Sequence, residues 1–188
     1  MNANSHNCKA DGDRALPIPQ CLQELVNFLE QLTERVPIQK LDDLLQRVAV
    51  CGSDLSDFIN FGETCYRRNT ISENRWYELL CICWRSGQRS PIHNHANSTC
   101  GLRVVHGCAT ETRFVLSPCG QVKAVGSVDF HEGFVCTSQD EQIHQVSNLQ
   151  ANGNDLITLH IYSPPLQCMD TYSIFNADKG SFAPMQID

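Results

Sequence analysis

The stretch GQRSPIHNHANSTCGLRVVHG, residues 87–107, contains two histidines separated by one residue, His93 and His95. On a β-strand, residues i and i+2 point to the same face, so both imidazoles can be directed at one point inside a barrel. Imidazole nitrogens are suited to a ferrous, zinc, nickel or manganese ion. An isolated His-x-His pair is a weak signal, and the metal site that it predicts therefore depends on the sequence on either side.

The sequence around this stretch predicts an antiparallel β-structure. Short runs rich in β-branched and aromatic residues recur every ~8–14 residues, separated by Gly, Asn, Ser and Pro, which is the pattern of an all-β barrel or sandwich. These runs cover residues 76–84, 100–107, 109–116, 121–128, 133–138, 142–148, 155–163 and 170–175. We therefore expect an antiparallel β-barrel over residues 63–188.

The preceding segment, residues 17–62, predicts an N-terminal α-helical layer. Two groups of apolar residues recur at three- and four-residue steps, as on one face of an amphipathic helix. They are Leu22, Leu25, Val26, Leu29 and Leu32, then Leu41, Leu44, Leu45 and Val48. A third, short helix is expected to begin at Ser53. Residues 1–16 are polar and are predicted to form a disordered tail, so the chain 1–188 is predicted to be a single domain.

The charge and the cysteine content limit the function classes. The chain of 188 residues carries 14 Lys and Arg against 21 Asp and Glu, and this acidic balance argues against a nucleic acid or an anionic membrane as partner. Its 11 cysteines are an odd number, and the sequence has neither a signal peptide nor an apolar run of roughly 18–20 residues. We expect a cytoplasmic protein whose cysteines are reduced thiols.

The spacing of residues 87–107 resembles the first motif of the cupin superfamily. Gly87, His93, His95 and Gly107 stand at the motif's positions, whereas Cys100 occupies the position where the motif usually has a glutamate. The resemblance implies a cupin barrel, an antiparallel β-sandwich or jelly roll, in which both histidines bind a metal.

The third metal ligand is expected in a second cupin motif further along the chain. His144 follows His95 by 49 residues, and Asn148 follows with three residues between. Gly133 stands where this motif begins, but the motif's usual Pro and Gly are replaced within the loop 134–142, so the match is partial. The resemblance implies that His144 is the third ligand.

Cys100 changes the chemistry that such a site can perform. A six-coordinate metal bound by three His and one Glu keeps two open positions, and the loss of the Glu opens a third. Three neutral imidazoles leave the divalent charge unneutralised, which favours an anionic ligand from a substrate. A substrate could then take two positions and dioxygen the remaining one, as in a variant of the ferrous facial triad. Zinc and nickel fit the same ligands, so the metal stays open at this point.

Four short segments resemble thiol dioxygenases, most closely the type I cysteine dioxygenase family. They are CYRRN at 65–69, PIHNHANSTC at 91–100, IHQVSN at 143–148 and LHIYSPP at 159–165. The resemblance implies a monomeric, non-haem iron enzyme with one Fe(II) per chain. The implied reaction is the oxidation of L-cysteine with O2 to 3-sulfinoalanine (cysteine sulfinic acid), a step of cysteine catabolism.

The resemblance also implies how the substrate is bound. The three histidines would hold Fe(II), and L-cysteine would chelate it through its thiolate and amine, which leaves the sixth position for O2. Arg68, rather than its neighbour Arg67, would bind the substrate carboxylate, because a guanidinium fork matches a carboxylate and stays charged when buried. Tyr66, two residues earlier, is expected to contact the same carboxylate.

Thr158, His160 and Tyr162 alternate along one predicted strand, so their side chains face the same side. The resemblance implies that they form a hydrogen-bonded relay, with Thr158 where a serine is common. We expect this relay to hold the Tyr162 hydroxyl near the iron.

Two covalent features follow from the same resemblance. The Ser163–Pro164 peptide bond is expected to be cis. A thioether is expected to join Cys100 to Tyr162, since both partners are present. This would give one of the 11 cysteines a chemical role, and most of the others are expected to be small core residues.

Two other functions remain open from the sequence. A dioxygenase for another small thiol, such as 3-mercaptopropionate, would bind a substrate without an amine, and enzymes of that kind look as if they have Gln where Arg68 stands. A metal-binding cupin without catalysis would act as a sensor or a storage module. The sequence has no glycine-rich nucleotide or flavin motif, so we expect iron to be the only cofactor.

Overall fold

A computed structural model describes residues 16–118, 120–139, 142–174 and 183–186. Two α-helices come first: α1, Gln23–Leu29, which follows a 3-10 turn, and α2, Ile38–Arg47. A 3-10 segment, Gly52–Phe58, lies where the third helix is predicted. The tail predicted over 1–16 lies outside the described residues except for its last residue. No helix among the described residues is long and apolar enough to cross a membrane.

The described residues form eleven strands in two antiparallel sheets. The strands are β1 Arg67–Asn74, β2 Tyr77–Trp84, β3 Ile92–His93, β4 Thr99–His106, β5 Cys108–Leu116, β6 Val122–His131, β7 Val135–Gln139, β8 Ile143–Ser147, β9 Leu156–Ser163, β10 Cys168–Tyr172 and β11 Ala183–Gln186. One sheet has the order β1-β2-β9-β4-β7 and the other β11-β10-β3-β8-β5-β6. The predicted all-β body with an N-terminal helical part is therefore confirmed.

The central strands of the five-stranded sheet, β2, β9 and β4, are buried on both faces. Along β2, Leu79, Cys81 and Cys83 pack against the helices and form the outer face of the sheet. The alternate residues Leu80, Ile82 and Trp84 pack with side chains of the six-stranded sheet and form the inner face. Because side chains alternate along a strand, a nearly continuous apolar run is needed to cover both faces.

Gly101 in β4 allows the helical layer to lie directly on the outer face. A Cβ at this position would collide with the side chain of Leu45 in α2, and Leu41 is also close. The neighbouring residue, Cys100, is part of the inner-face cluster. The missing side chain at Gly101 therefore allows helix α2 to pack directly against β4, the strand that contains Cys100.

The predicted elements differ from the structure at the end of helix α1, at strand β3 and at strands that were not predicted, whereas the predicted cis peptide bond is present. Helix α1 ends at Leu29, so Leu32 lies outside the helix, where it is partly buried and packs against the core. Strand β3 contains Ile92 and His93 alone, so His95 lies outside a strand. Strands β1 and β11 are both absent from the predicted strands. For β1 the reason is that its polar sequence RRNTISEN has no clear apolar alternation. The other predicted strands are found with ends shifted by at most three residues, and Ser163–Pro164 is cis, as expected.

Candidate metal centre and active site

His93, His95 and His144 converge in the interior between the sheets. One ligand nitrogen of each lies within 4.8 Å of the others, and the Nε2 atoms of His95 and His144 are 3.1 Å apart. All three side chains are buried. The structure therefore brings the three predicted metal ligands together.

The short strand β3 and the turn after it orient two of these ligands. His93 is the cross-strand partner of His144 on β8, so these two side chains lie side by side. His95 lies past the end of β3, and residues 96 and 97 have positive φ values of 40° and 75°. The side chain of Asn94 points away from the histidines and donates a hydrogen bond to a β10 carboxylate. His93 and His95 therefore face the same side and Asn94 the other, as predicted, although strand β3 ends at His93.

The Nδ1 atom of each ligand histidine has a partner in the protein. These contacts are His93 with the Pro91 carbonyl oxygen at 3.0 Å, His95 with the Ser138 hydroxyl at 3.1 Å, and His144 with a Glu111 carboxylate oxygen at 2.8 Å. When Nδ1 carries the proton in each ring, the three Nε2 lone pairs are free to bind an ion. Partners of this kind fix the tautomer and the ring orientation of metal-binding histidines.

Glu111 is a functional residue that lies outside the predicted site. Its carboxylate also accepts a hydrogen bond from Nε of Arg113 at 2.9 Å. Burial alone would raise the pKa of Glu111, but its hydrogen bond with His144 and its contact with Arg113 hold this pKa below its usual value. An ionised Glu111 is a strong acceptor for the Nδ1 proton of His144.

The imidazoles of His93 and His95 are poor bases in this environment. Burial, together with the neighbouring His144, lowers the pKa of His93 to about 3, and burial lowers the pKa of His95 well below its usual value. These two rings are therefore neutral at pH 7, and a metal requires the neutral form. Three imidazoles without a carboxylate fit a divalent transition metal.

Cys100 lies directly opposite Tyr162 across strands β4 and β9. Its thiol is within hydrogen-bonding reach of Ser138 and of the Tyr162 hydroxyl. Burial raises the pKa of both Cys100 and Tyr162, so that the thiol and the phenol are protonated at neutral pH. The two residues predicted to be cross-linked are thus cross-strand neighbours.

The predicted relay from Thr158 to Tyr162 is only partly present. The Tyr162 hydroxyl lies 3.3 Å from Nδ1 of His160. The Thr158 hydroxyl, however, accepts a hydrogen bond from the Trp84 indole at 2.9 Å and donates to the Ile82 carbonyl at 3.5 Å. The Nε2 atom of His160 is buried without a partner among the described residues. The predicted contact of Thr158 is therefore wrong, because the neighbouring strand β2 supplies partners that sequence spacing does not reveal.

Arg68, on strand β1, extends into the interior space that also contains the three histidines and Tyr162. Its guanidinium lies over the Tyr162 ring, 5.4 Å from the ring centroid, and its Nη2 donates to Glu78 at 2.7 Å. Tyr66 stacks on Trp84 with ring centroids 4.3 Å apart. Burial alone would lower the pKa of Arg68, but Tyr162 and Glu78 hold this pKa above its usual value. The guanidinium is therefore a buried, permanently charged group.

One cavity is lined by every residue of the predicted site. The predicted residues among its walls are Tyr66, Arg68, His93, His95, Cys100, His144, His160 and Tyr162. Arg67, the alternative to Arg68, is not part of the lining. Asn148 also lies outside it, where its amide donates to the backbone carbonyls of residues 84 and 154. The cavity therefore combines a metal-binding group, a fixed cation and a buried tyrosine.

Three site residues were missed by sequence reasoning: Glu111, Ser138 and Glu78. Glu111 and Ser138 contact their histidines across strands, so finding them requires the pairing of strands and not their spacing along the chain. For Glu78 a signal exists, because strand alternation places it on the same face as Trp84 in the run 76–84.

Comparisons with known proteins agree with this geometry. A family model described as Cysteine dioxygenase type I matches residues 15–174. Two curated proteins named Cysteine dioxygenase type 1 are similar to the chain. The protein from Danio rerio is 27% identical over 166 residues, which cover 82% of this chain and 80% of the relative. The protein from Homo sapiens is 26% identical over 168 residues, which cover 86% and 82%.

A solved structure supports the fold independently. It is an uncharacterized conserved protein with a double-stranded beta-helix domain from Klebsiella pneumoniae, which superposes with a TM-score of 0.53 at 13% identity. The match covers 63% of this chain and 88% of that one, and it shows the double-stranded β-helix fold. Since the family model spans the helical layer, both sheets and the three-histidine site, the chain belongs to the type I cysteine dioxygenase family.

Proposed function

We propose that this protein is a non-haem iron dioxygenase that oxidises L-cysteine with O2 to 3-sulfinoalanine, with both oxygen atoms entering the product. The observation that carries the proposal is the group of three buried imidazoles whose Nδ1 atoms are all engaged by the protein. Family membership supports a thiol dioxygenase, and the charged Arg68 beside the histidines supports a thiol that bears a carboxylate.

Fe(II) held by His93, His95 and His144 would provide the binding site for the thiolate and O2, and it would carry out the redox chemistry. The protein keeps His93 and His95 neutral and orients all three imidazoles before the metal arrives. It also surrounds the site with apolar walls, including Ile82 and Trp84. A buried, preorganised site of this kind strengthens electrostatic contacts with the substrate.

Arg68 and two tyrosines would orient the substrate. The free donors of the guanidinium are suited to the carboxylate of L-cysteine, with Tyr66 beside it. The Tyr162 hydroxyl, held by His160, would donate a hydrogen bond to the reacting sulfur or oxygen. A protonated phenol can do this because burial raises the pKa of Tyr162.

A thioether between Cys100 and Tyr162 is part of this proposal. Their position as cross-strand partners supports it. Its formation removes the thiol hydrogen and one ring hydrogen, with O2 as the oxidant, so the reaction requires iron and turnover. Mass spectrometry of a digest would detect the linked peptide, lighter by two hydrogens, and an unlinked pair after prolonged turnover would contradict the cross-link.

Oxygen uptake by anaerobically iron-loaded protein tests the activity. On addition of L-cysteine and oxygen-18-labelled O2, we expect uptake of equimolar O2 and a sulfinic acid carrying both labels. Zinc-loaded protein is the matched control, since zinc fits the ligands but has no redox chemistry. Metal analysis of the protein as purified would test the choice of iron.

The two alternative functions predict different results. A much higher kcat/KM for 3-mercaptopropionate than for L-cysteine would make the protein a dioxygenase for that thiol. Metal binding without oxygen uptake with either thiol would indicate a non-catalytic cupin. The monomeric state and the cytoplasmic location remain predictions, and size-exclusion chromatography with light scattering would test the first.

A further inference from the structure

Glu78 contacts Arg68 but does not line the cavity. The side chains of Arg68 and Glu78 are 8% and 14% exposed, so this is a largely buried ion pair. Glu78 begins the inner face of β2 that continues with Leu80 and Ile82, and it is the cross-strand partner of Tyr162. Arg68 is therefore held between an acid behind it and the face of the Tyr162 ring.

The ion pair explains how a cation can remain beside a metal site. A buried guanidinium without a partner is strongly unfavourable, and a nearby divalent ion would repel it further. Glu78 supplies the opposite charge within hydrogen-bonding distance. Without Glu78, we expect Arg68 to leave its position or to adopt several conformations.

The contact with Glu78 leaves Arg68 free to bind a second anion. The ion pair joins the Nη2 atom of Arg68 to one carboxylate oxygen of Glu78. A guanidinium has five N–H donors, so most of them are not used by this contact. The remaining donors can form a bidentate pair with a carboxylate in the cavity.

Charge balance indicates which substrates suit this arrangement. A divalent metal with three neutral imidazole ligands carries two positive charges, and the Arg68–Glu78 and Arg113–Glu111 pairs add none. A small thiol bound as thiolate and carboxylate carries two negative charges, so the loaded site has no net charge. A neutral buried site avoids the desolvation penalty of an unpaired charge.

We propose that Glu78 is a positioning residue that holds Arg68 so that its remaining donors bind the carboxylate of the thiol substrate. This inference rests on the proposed function and defines its substrates as small thiols with one carboxylate. Glu78 acts through Arg68, because its own side chain is not part of the cavity lining.

Steady-state kinetics with two thiols test the role of Glu78. L-Cysteine has a carboxylate, and cysteamine is the same aminothiol without one. For Glu78→Ala we expect the KM for L-cysteine to rise about 10-fold, with kcat within about 3-fold of the wild type and the cysteamine parameters unchanged. Glu78→Gln keeps an acceptor for Nη2, so we expect it to restore most of the loss. Glu73→Ala removes an exposed glutamate on the neighbouring strand and serves as the matched control.

Calorimetry gives a readout that does not depend on turnover. Binding of L-cysteine to anaerobic, iron-loaded protein should weaken by the same factor in Glu78→Ala. In an Arg68→Gln background, Glu78→Ala should have no further effect, because the two residues act as one unit. An equal change for cysteamine, additive effects of the two substitutions, or tighter L-cysteine binding would overturn the role of Glu78.

The results separate this inference from the proposed function. A wild-type protein that binds L-cysteine but consumes no oxygen contradicts the proposed function alone. A wild-type protein that turns over L-cysteine while Glu78→Ala binds it normally contradicts the role of Glu78 alone. A wild-type protein that binds no L-cysteine contradicts both.

Discussion

The histidines on the two sides of the cavity differ in how their ring nitrogens are satisfied. On the metal side, the Nδ1 atoms of His93, His95 and His144 are all bonded to the protein. On the opposite side, His160 contacts Tyr162 through Nδ1, but its buried Nε2 has no partner among the described residues. Nδ1 is thus engaged on both sides, and the two sides differ at Nε2. On the metal side the Nε2 atoms face one another and can bind an ion, whereas the single Nε2 atom of His160 is left buried and unpaired by the part of the chain that the structure describes.

The largest effect is expected when a metal ligand is removed. In His95→Ala, the site loses one of three Nε2 donors, so we expect the bound metal to fall from about one ion per chain to background. Activity should disappear with it. Metal analysis after dialysis measures the loss, and His131→Ala, which removes an exposed histidine, is the control. Retention of the metal in His95→Ala would show that the three histidines are not its ligands.

Tyr162→Phe tests the substrate side without touching the ligands. We expect kcat to fall about 100-fold, because a positioned hydroxyl is removed next to the reacting atoms, while the metal content stays the same. The matched control is Tyr77→Phe, since the Tyr77 hydroxyl bonds to Ser72 outside the cavity. A kcat for Tyr162→Phe within the range of Tyr77→Phe would contradict a role for the hydroxyl in the reaction.

Glu111→Gln tests whether the metal side is preorganised by its buried acid. The substitution removes the charge that fixes the His144 tautomer, and we expect metal affinity to fall about 10-fold. The exposed pair of Glu132 with His106, at 2.9 Å and 58% exposure of each side chain, offers a matched control. Glu132→Gln should leave metal affinity unchanged. Competition with a metal chelator measures both affinities, and equal values would mean that Glu111 does not support the site.

The sequence predicts the side chains that line the cavity better than the contacts that support them. The ligands His93 and His95 follow from a local alternation, which holds even though β3 ends at His93. The resemblance to the family adds His144 and the cis bond at Ser163–Pro164, and the structure contains both. Features that repeat at short range, or that belong to a family motif, can therefore be predicted without knowing how strands pair.

The contacts that support the site could not be predicted because they depend on strand pairing. Ser138 reaches His95 from β7, and Glu111 reaches His144 from β5. Such contacts depend on the register between strands, which spacing along the chain does not specify. The same limitation explains the error at Thr158, whose hydroxyl was expected to bond along its own strand.

Thr158→Val tests whether the Thr158 hydroxyl supports only the fold or also His160 on the substrate side, and its expected effect is the smallest. The Thr158 hydroxyl is bonded to Trp84 and Ile82 of β2, so its loss leaves a buried indole N–H unpaired. We expect a loss of about 1–3 kcal/mol in the free energy of unfolding, with kcat and metal content within about 2-fold of the wild type. Denaturant unfolding and steady-state kinetics measure these quantities, and Thr158→Ser, which keeps the hydroxyl, is the control. If kcat fell as steeply as in Tyr162→Phe, Thr158 would act through His160 after all, and the Nε2 atom of His160 would have the Thr158 hydroxyl as its partner.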